Sequence, residues 1–127
     1  MKKIQKSGED YLEAIYNLLE RDDHAHSVDI AKALGVSKPS TFNALRILAE
    51  RGFIKKESYG AVTLTQKGKL YAQNVQKKHN AVKSLLIDVL KVSPDTAEAD
   101  ACKIEHFISE ETTEKLFEFL NGIVNEK

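Results

Sequence analysis

The chain has 127 residues, 42% of them hydrophobic, and balances 19 Lys and Arg against 19 Asp and Glu. This length supports one ordinary core plus an appended helical element, which excludes an assembly of large domains. No apolar run approaches the ~20 residues of a membrane span, and the lysine-rich start MKKIQKSGEDYLEAIY turns acidic and amphipathic where a signal peptide would become apolar. A cytoplasmic protein with no membrane partner is expected.

The zero net charge hides a polarity. Residues 1–83 carry 15 Lys and Arg against 9 Asp and Glu, whereas residues 84–127 carry 4 against 10. A basic part suits DNA phosphates and an acidic part suits a cation. The single cysteine, Cys102, cannot close an internal disulfide; it is a buried core thiol, a reactive thiol or a metal ligand.

In chain order, Ser7 is the expected N-cap of a first helix that carries Tyr11, Leu12, Ala14, Ile15, Leu18 and Leu19 at helical spacing and ends near Glu20. After a polar turn, Ser27 caps a short second helix, Val28 to Leu34, stopped by Gly35. Ser37 and Pro39 then open an amphipathic third helix that runs to Leu48 and stops before Gly52. A short helix, a glycine turn and a capped second helix make a helix-turn-helix, with Ala31 at the close approach and Ile30, Leu34, Val36, Leu45 and Leu48 as shared core. Phe53–Glu57 and Ala61–Leu64 read as a hairpin around Ser58-Tyr59-Gly60, which is a wing.

Thr65 caps a long fourth helix through Leu70, Val75, His79, Val82, Leu85 and Leu86 to Leu90. Pro94 starts a helix bearing Ala97, Ala101, Ile104, Glu105, His106 and Ile108, residues 110–114 form a turn and restart, and a last amphipathic helix presents Leu116, Phe117, Leu120, Ile123 and Val124. The fold class is therefore mainly α: a winged helix-turn-helix domain over 1–71, followed by an all-helical metal-binding and dimerisation domain over 72–127.

A recognition helix presents its N-terminal part to the major groove, here Ser37, Lys38, Pro39, Ser40, Thr41 and Asn43, with Arg46 one turn on. Lys55, Lys56 and Tyr59 add wing contacts, the lysines to phosphates. Pattern, wing and basic bias together favour double-stranded DNA over a protein-binding winged helix or a merely solvated polar face.

Cys102, Glu105 and His106 stand at i, i+3 and i+4, which puts three ligand-capable side chains on one helix face. Asp10 and Glu13 are three apart near the start, and His79 lies among the apolar positions of the long helix. Each has a plainer reading. Cys102 suits a core thiol, His79 a satisfied interfacial histidine, Asp10 and Glu13 complements to a helix N-terminus, and Glu105 a lysine partner. His24 and His26 are taken as solvated.

The stretch Gly8-Glu9-Asp10-Tyr11-Leu12-Glu13-Ala14-Ile15-Tyr16, the helix-turn-helix from Val28 to Leu48, Tyr59-Gly60, Leu64-Thr65-Gln66-Lys67-Gly68 and Ile104-Glu105-His106 together resemble the DtxR/MntR family of metal-dependent repressors. The resemblance covers essentially the whole chain, in the short two-domain form without the SH3-like domain of longer iron-sensing members. It implies Asp10, Glu13, His79, Cys102, Glu105 and His106 as metal ligands. Asp10 and Glu13 match the manganese-sensing branch, whereas Cys102 matches the iron-sensing branch, since the manganese regulators carry a glutamate there. Lys83 and Glu98 stand where iron-type members use acidic and histidine ligands of a second site, so that site is not expected in its usual form.

A thiolate favours Fe(II), Co(II), Ni(II) or Zn(II), and carboxylates favour Mn(II) and Fe(II). Mn(II) or Fe(II) is the expected cofactor, with Co(II), Ni(II) or Zn(II) binding in vitro. The implied activity is a repressor of metal-ion homeostasis genes that binds a palindromic operator as a homodimer when metal fastens the first helix to the later ones. Ile104, Phe107, Ile108, Leu116, Phe117, Leu120, Ile123 and Val124 are the expected dimer surface. The alternatives are a winged-helix dimer without metal response and a small hydrolase using Cys102 and His106. The hydrolase is disfavoured because no phosphate loop or nucleophile elbow is present.

Overall fold

The computed structural model describes residues 6–57 and 59–125, leaving out the side chains of Lys6 and of residues 123–125. Ser58 of the wing turn and the side chains of Ile123 and Val124 therefore lie outside the described residues. The chain divides into two compact units, Met1–Gln73 and Asn74–Lys127, with the division inside one long helix.

In the first unit, α1 spans Lys6–Asp22. Ser7, the expected cap, lies inside it: Glu9 is buried and its carboxylate accepts a hydrogen bond from the Tyr71 hydroxyl at 2.7 Å, which ties this part of the helix down. Leu12, Ile15 and Leu18 are buried along one stripe, and α1 packs on the next two helices and the wing.

Helix α2 spans Ser27–Leu34, with His26 and not Ser27 at the N-cap and no side-chain cap bond. The Ser27 amide instead donates to the Gly60 carbonyl at 3.0 Å, so a backbone group of the wing satisfies what a cap hydroxyl would. Gly35, at φ 65°, closes the helix in the left-handed conformation that glycine tolerates best. Helix α3 spans Lys38–Glu50 and is capped by Ser37, whose hydroxyl accepts from the Ser40 amide at 3.1 Å. Ile30, Leu45, Leu48, Phe53 and Val62 complete the core. Leu34 is only half-buried and Val36 is 38% exposed, contrary to expectation: one is the last residue of α2 and the other follows the Gly35 turn, both beyond the buried Ile30 and Ala31.

The wing is shorter than its sequence pattern: β1 (Ile54–Lys56) pairs antiparallel with β2 (Val62–Leu64), Lys55 opposite Thr63. Phe53 leaves the strand to fill the core, edge-on to Tyr71 with ring centroids 5.4 Å apart. A bridge between His26 and Ala61, with the Val62 amide donating to the Ala25 carbonyl at 2.8 Å, joins the wing to the α1–α2 turn.

Helix α4 spans Gln66–Ser84. Thr65 caps it, accepting from the Gly68 amide at 3.1 Å and donating to the Gly52 carbonyl at 2.6 Å. Leu70, expected on the apolar stripe, is 47% exposed, while Tyr71, Ala72 and Val75 are buried.

In the second unit α4 does not run on to Leu90 as an α-helix. It passes into a π-helical turn, Leu85–Val89, and ends at Lys91 with φ 62°. Helix α5 (Pro94–Ile104) starts with proline in its first turn and packs on the π turn, with Ala97 and Ala101 fully buried. Helix α6 begins at Glu110, not after a turn at 110–114, because the Ser109 hydroxyl accepts from the Thr112 amide at 3.1 Å and caps it; it spans Glu110–Asn125. Phe107, Phe119, Leu90 and Ile104 are exposed, and Ile108, Leu116, Phe117 and Leu120 are half-buried, so this unit carries unpartnered apolar surface. Among the described residues no helix is long and apolar enough to cross a membrane.

Candidate nucleic-acid face and metal centre

The start of α3 is exposed at Ser37, Lys38, Pro39, Ser40 and Asn43, and Arg46 is exposed a turn later. Thr41 is a correction: it is 1% exposed and its hydroxyl donates to the Ser37 carbonyl at 3.0 Å, so it belongs to the cap and the core instead of the outer face. The periodicity explains this, since Thr41, Leu45 and Leu48 form the buried stripe of α3. Arg46 donates to Asn43 Oδ1 at 2.8 Å and to Glu50 Oε1 at 3.0 Å, which lays the guanidinium along the helix beside the amide.

On the wing, Lys55 and Lys56 are exposed and Tyr59 is 92% exposed. The sequence reading did not assign Phe42, which is 63% exposed with the Lys56 ammonium 4.2 Å from its ring centroid. An aromatic residue one position off the Thr41–Leu45–Leu48 stripe was the available signal. Lys38, Phe42 and Lys56 line a cleft of about 410 Å³ between α3 and the wing. This face thus combines cations, small hydroxyls and an amide, groups suited to phosphates and base edges, with an exposed aromatic ring beside them.

In the second unit, α5 ends at Ile104, so Cys102, Glu105 and His106 do not share one α-helix as expected. Glu105 keeps helical dihedrals at φ −56° and ψ −30°, and its amide still donates to the Ala101 carbonyl at 3.0 Å. The chain then turns, and His106 swings in beside it. One ligand atom from each of Cys102, Glu105 and His106 lies within 4.8 Å of the others. Cys102 is exposed, which removes the buried core thiol reading, whereas Glu105 and His106 are 1% and 3% exposed.

His79, on α4, faces this cluster. Its Nδ1 is 2.8 Å from Glu105 Oε2, and its Nε2 is 3.0 Å from Glu98 Oε2. His106 Nε2 is 3.4 Å from the other Glu105 oxygen. Glu98 is also held by the Lys83 ammonium at 2.9 Å; that bond first, and His79 second, pull its carboxyl below the usual value. The stability from this pairing is present above the ordinary carboxylate range and is lost as pH falls through the lowered value. A buried carboxylate between two imidazoles, with a thiol beside it, is a donor set that fits a divalent transition metal, and burial of such groups is costly unless cations or donors compensate. Asp10 and Glu13 lie on α1 in the first unit, both half-buried.

Residues 3–62 match the model of the iron dependent repressor N-terminal DNA binding domain, and residues 65–125 match that of the iron dependent repressor metal binding and dimerisation domain. The chain belongs to the iron-dependent repressor family. Within that family it is 39% identical over 111 residues to the transcriptional regulator MntR of Salmonella typhimurium, covering 87% of this chain and 70% of that one. It is 33% identical over 118 residues to an uncharacterized HTH-type transcriptional regulator of Methanocaldococcus jannaschii, covering 92% of this chain and 94% of the relative. The solved structure of the manganese regulator SloR superposes with a TM-score of 0.78 at 31% identity, over 95% of this chain. The chain spans about half of SloR's length, at 55%. The family comprises transcriptional regulators.

Proposed function

We propose that this protein is a cytoplasmic, metal-activated repressor that binds a palindromic operator as a homodimer and answers to Mn(II) or Fe(II). The observation that carries the reading is the convergence of Cys102, Glu105 and His106 within 4.8 Å, with His79 2.8 Å from Glu105, in the unit matched to the family's metal-binding domain. These four residues hold the ion, and the family resemblance adds Asp10 and Glu13 of α1 as further ligands. A bound divalent cation supplies positive charge and a preferred coordination geometry. Glu105 offers a hard carboxylate, Cys102 a soft thiolate, and the imidazoles suit either class, a mixture consistent with Fe(II) or Mn(II) in the cell and Co(II), Ni(II) or Zn(II) in vitro.

Glu98 is the residue that keeps the His79 ring in place, as an outer carboxylate does for a ligating histidine, and Lys83 anchors Glu98 in turn. Ser37, Lys38, Pro39, Ser40, Asn43 and Arg46 read the major groove while Lys55, Lys56 and Tyr59 meet the backbone. Ligands contributed by both the DNA-binding and the metal-binding unit would make metal and operator binding reciprocal, each favouring the other. The exposed Phe107 and Ile104 fit the dimer surface.

Anaerobic titration of Co(II) into the apo-protein tests the ligand set. A thiolate-to-cobalt absorption band is expected in the native chain and is expected to vanish in Cys102→Ser, with Mn(II) affinity less affected than Co(II) or Zn(II). A band of equal intensity in Cys102→Ser, or no Co(II) binding at all, overturns the assignment.

A further inference from the structure

We propose that the turn between α1 and α2 is a second metal site, formed by His24, His26 and Asp29, which takes a borderline divalent ion such as Zn(II). One ligand atom from each of the three lies within 4.8 Å of the others. The two imidazole rings meet edge-on, with centroids 5.4 Å apart and planes at 70°, and His26 Nδ1 is 3.8 Å from Asp29 Oδ2. That last distance is too long for a hydrogen bond and short enough for both atoms to approach one ion. A simple His26–Asp29 ion pair accounts for two of the three residues; His24, whose ring also meets His26 edge-on, brings a third ligand atom within 4.8 Å of the other two.

The backbone beneath is fixed on several sides. The His26 carbonyl accepts from the Ile30 amide at 3.0 Å, its strand bridge meets Ala61, and the flanking Ala25 and Ser27 bond Val62 and Gly60 of the wing. Asp29 sits in the first turn of α2. Two of the ligands are thus placed by secondary structure, and His24 is exposed, which leaves an open path for the ion. Two neutral imidazoles and one carboxylate form a three-ligand site that leaves a fourth position for water. This set favours Zn(II), Ni(II) or Cu(II) over Mn(II), in contrast with the carboxylate- and thiol-bearing cluster of the second unit. Because the turn is stitched to the wing, occupancy braces the wing against α2.

Zinc titration of the full chain by calorimetry, alongside H24A/H26A, tests the site. The native protein is expected to bind one equivalent of Zn(II) more than the variant, while the Co(II)–thiolate band of the Cys102 cluster is the same in both. Equal zinc stoichiometry in the two overturns the proposal. If the variant does not fold, ring-nitrogen NMR of the native protein decides: zinc is expected to shift His24 and His26 together, and unmoved resonances at saturating zinc contradict the site.

Discussion

Replacing Glu105 by Gln is expected to weaken metal binding about a hundredfold or more, beyond the ~10-fold expected for Glu98→Gln as an outer partner of His79. A hundredfold is about 2.7 kcal/mol, at ~1.4 kcal/mol per factor of ten. The amide preserves the shape of a side chain that is fully buried, so packing is kept and only the charge is lost. In the native chain that carboxylate lies 2.8 Å from His79 Nδ1 and 3.4 Å from His106 Nε2. It is the common element of the cluster, and its removal takes away the hard, anionic ligand that lies between the two imidazoles. Glu98 is different in kind: it is half exposed, bonded to Lys83, and touches the cluster only through the far nitrogen of His79. Metal titration of both variants, with thermal unfolding of the metal-free forms as control, separates the two effects. Equal losses would place Glu98 and Glu105 in the same role and contradict the assignment.

Gly68→Ala is expected to destabilise the protein by about 2–3 kcal/mol, the upper part of the range for overpacking. An alanine normally stabilises a helix by ~1 kcal/mol over glycine, so the sign here is reversed by a specific clash. A Cβ at Gly68 would overlap the Phe53 carbonyl oxygen and stand 2.9 Å from its carbon, both backbone atoms that cannot turn aside. The close approach is the seam between α4 and the wing, where Lys67 donates to the Arg51 carbonyl at 2.8 Å and lies 4.4 Å from the Phe53 ring. Gly122 in α6 meets nothing within 4 Å, so Gly122→Ala is the matched control and should be neutral or stabilising. Urea denaturation of the two variants gives the comparison directly; similar midpoints for both would contradict the packing described here.

The parts of the fold that were legible in the sequence are those where a local signal and the tertiary structure agree. Ser37, Pro39 and Gly35 marked the helix-turn-helix because cap chemistry and left-handed backbone act within a few residues. Misreadings arose where a distant partner decided. Ser27 looked like a cap until the Gly60 carbonyl took its amide. Glu9 gave no sign of burial, because its partner Tyr71 lies 62 residues away. Thr41 offered a hydroxyl suited to DNA, yet its place on the Leu45–Leu48 stripe turns it inward. The π turn at Leu85–Val89 has the composition of an ordinary helix, and nothing local distinguishes it.

At the candidate site, the i, i+3, i+4 spacing of Cys102, Glu105 and His106 signalled proximity for a reason that survives the early end of α5: Glu105 keeps helical dihedrals, and the following turn keeps His106 close. The roles of Glu98 and Lys83 were not readable from spacing. A carboxylate bound on one side by Lys83 and on the other by His79 emerges only when α4 and α5 lie side by side. The exposed Phe42 and its pairing with Lys56 were missed for the same reason, since the wing that brings the ammonium over the ring is separate in sequence from α3.

The central claim is that metal occupancy controls DNA binding, and the most direct measurement is operator affinity with and without saturating Mn(II) or Fe(II), made anaerobically at matched ionic strength on a palindromic fragment from the protein's own promoter region. Matching the salt is essential because phosphate contacts alone make affinity steeply salt-dependent. The account predicts that one of these metals raises affinity at least about tenfold, ~1.4 kcal/mol of coupling. An affinity unchanged by saturating metal would leave a winged-helix DNA-binding dimer without metal response and would contradict the regulatory mechanism.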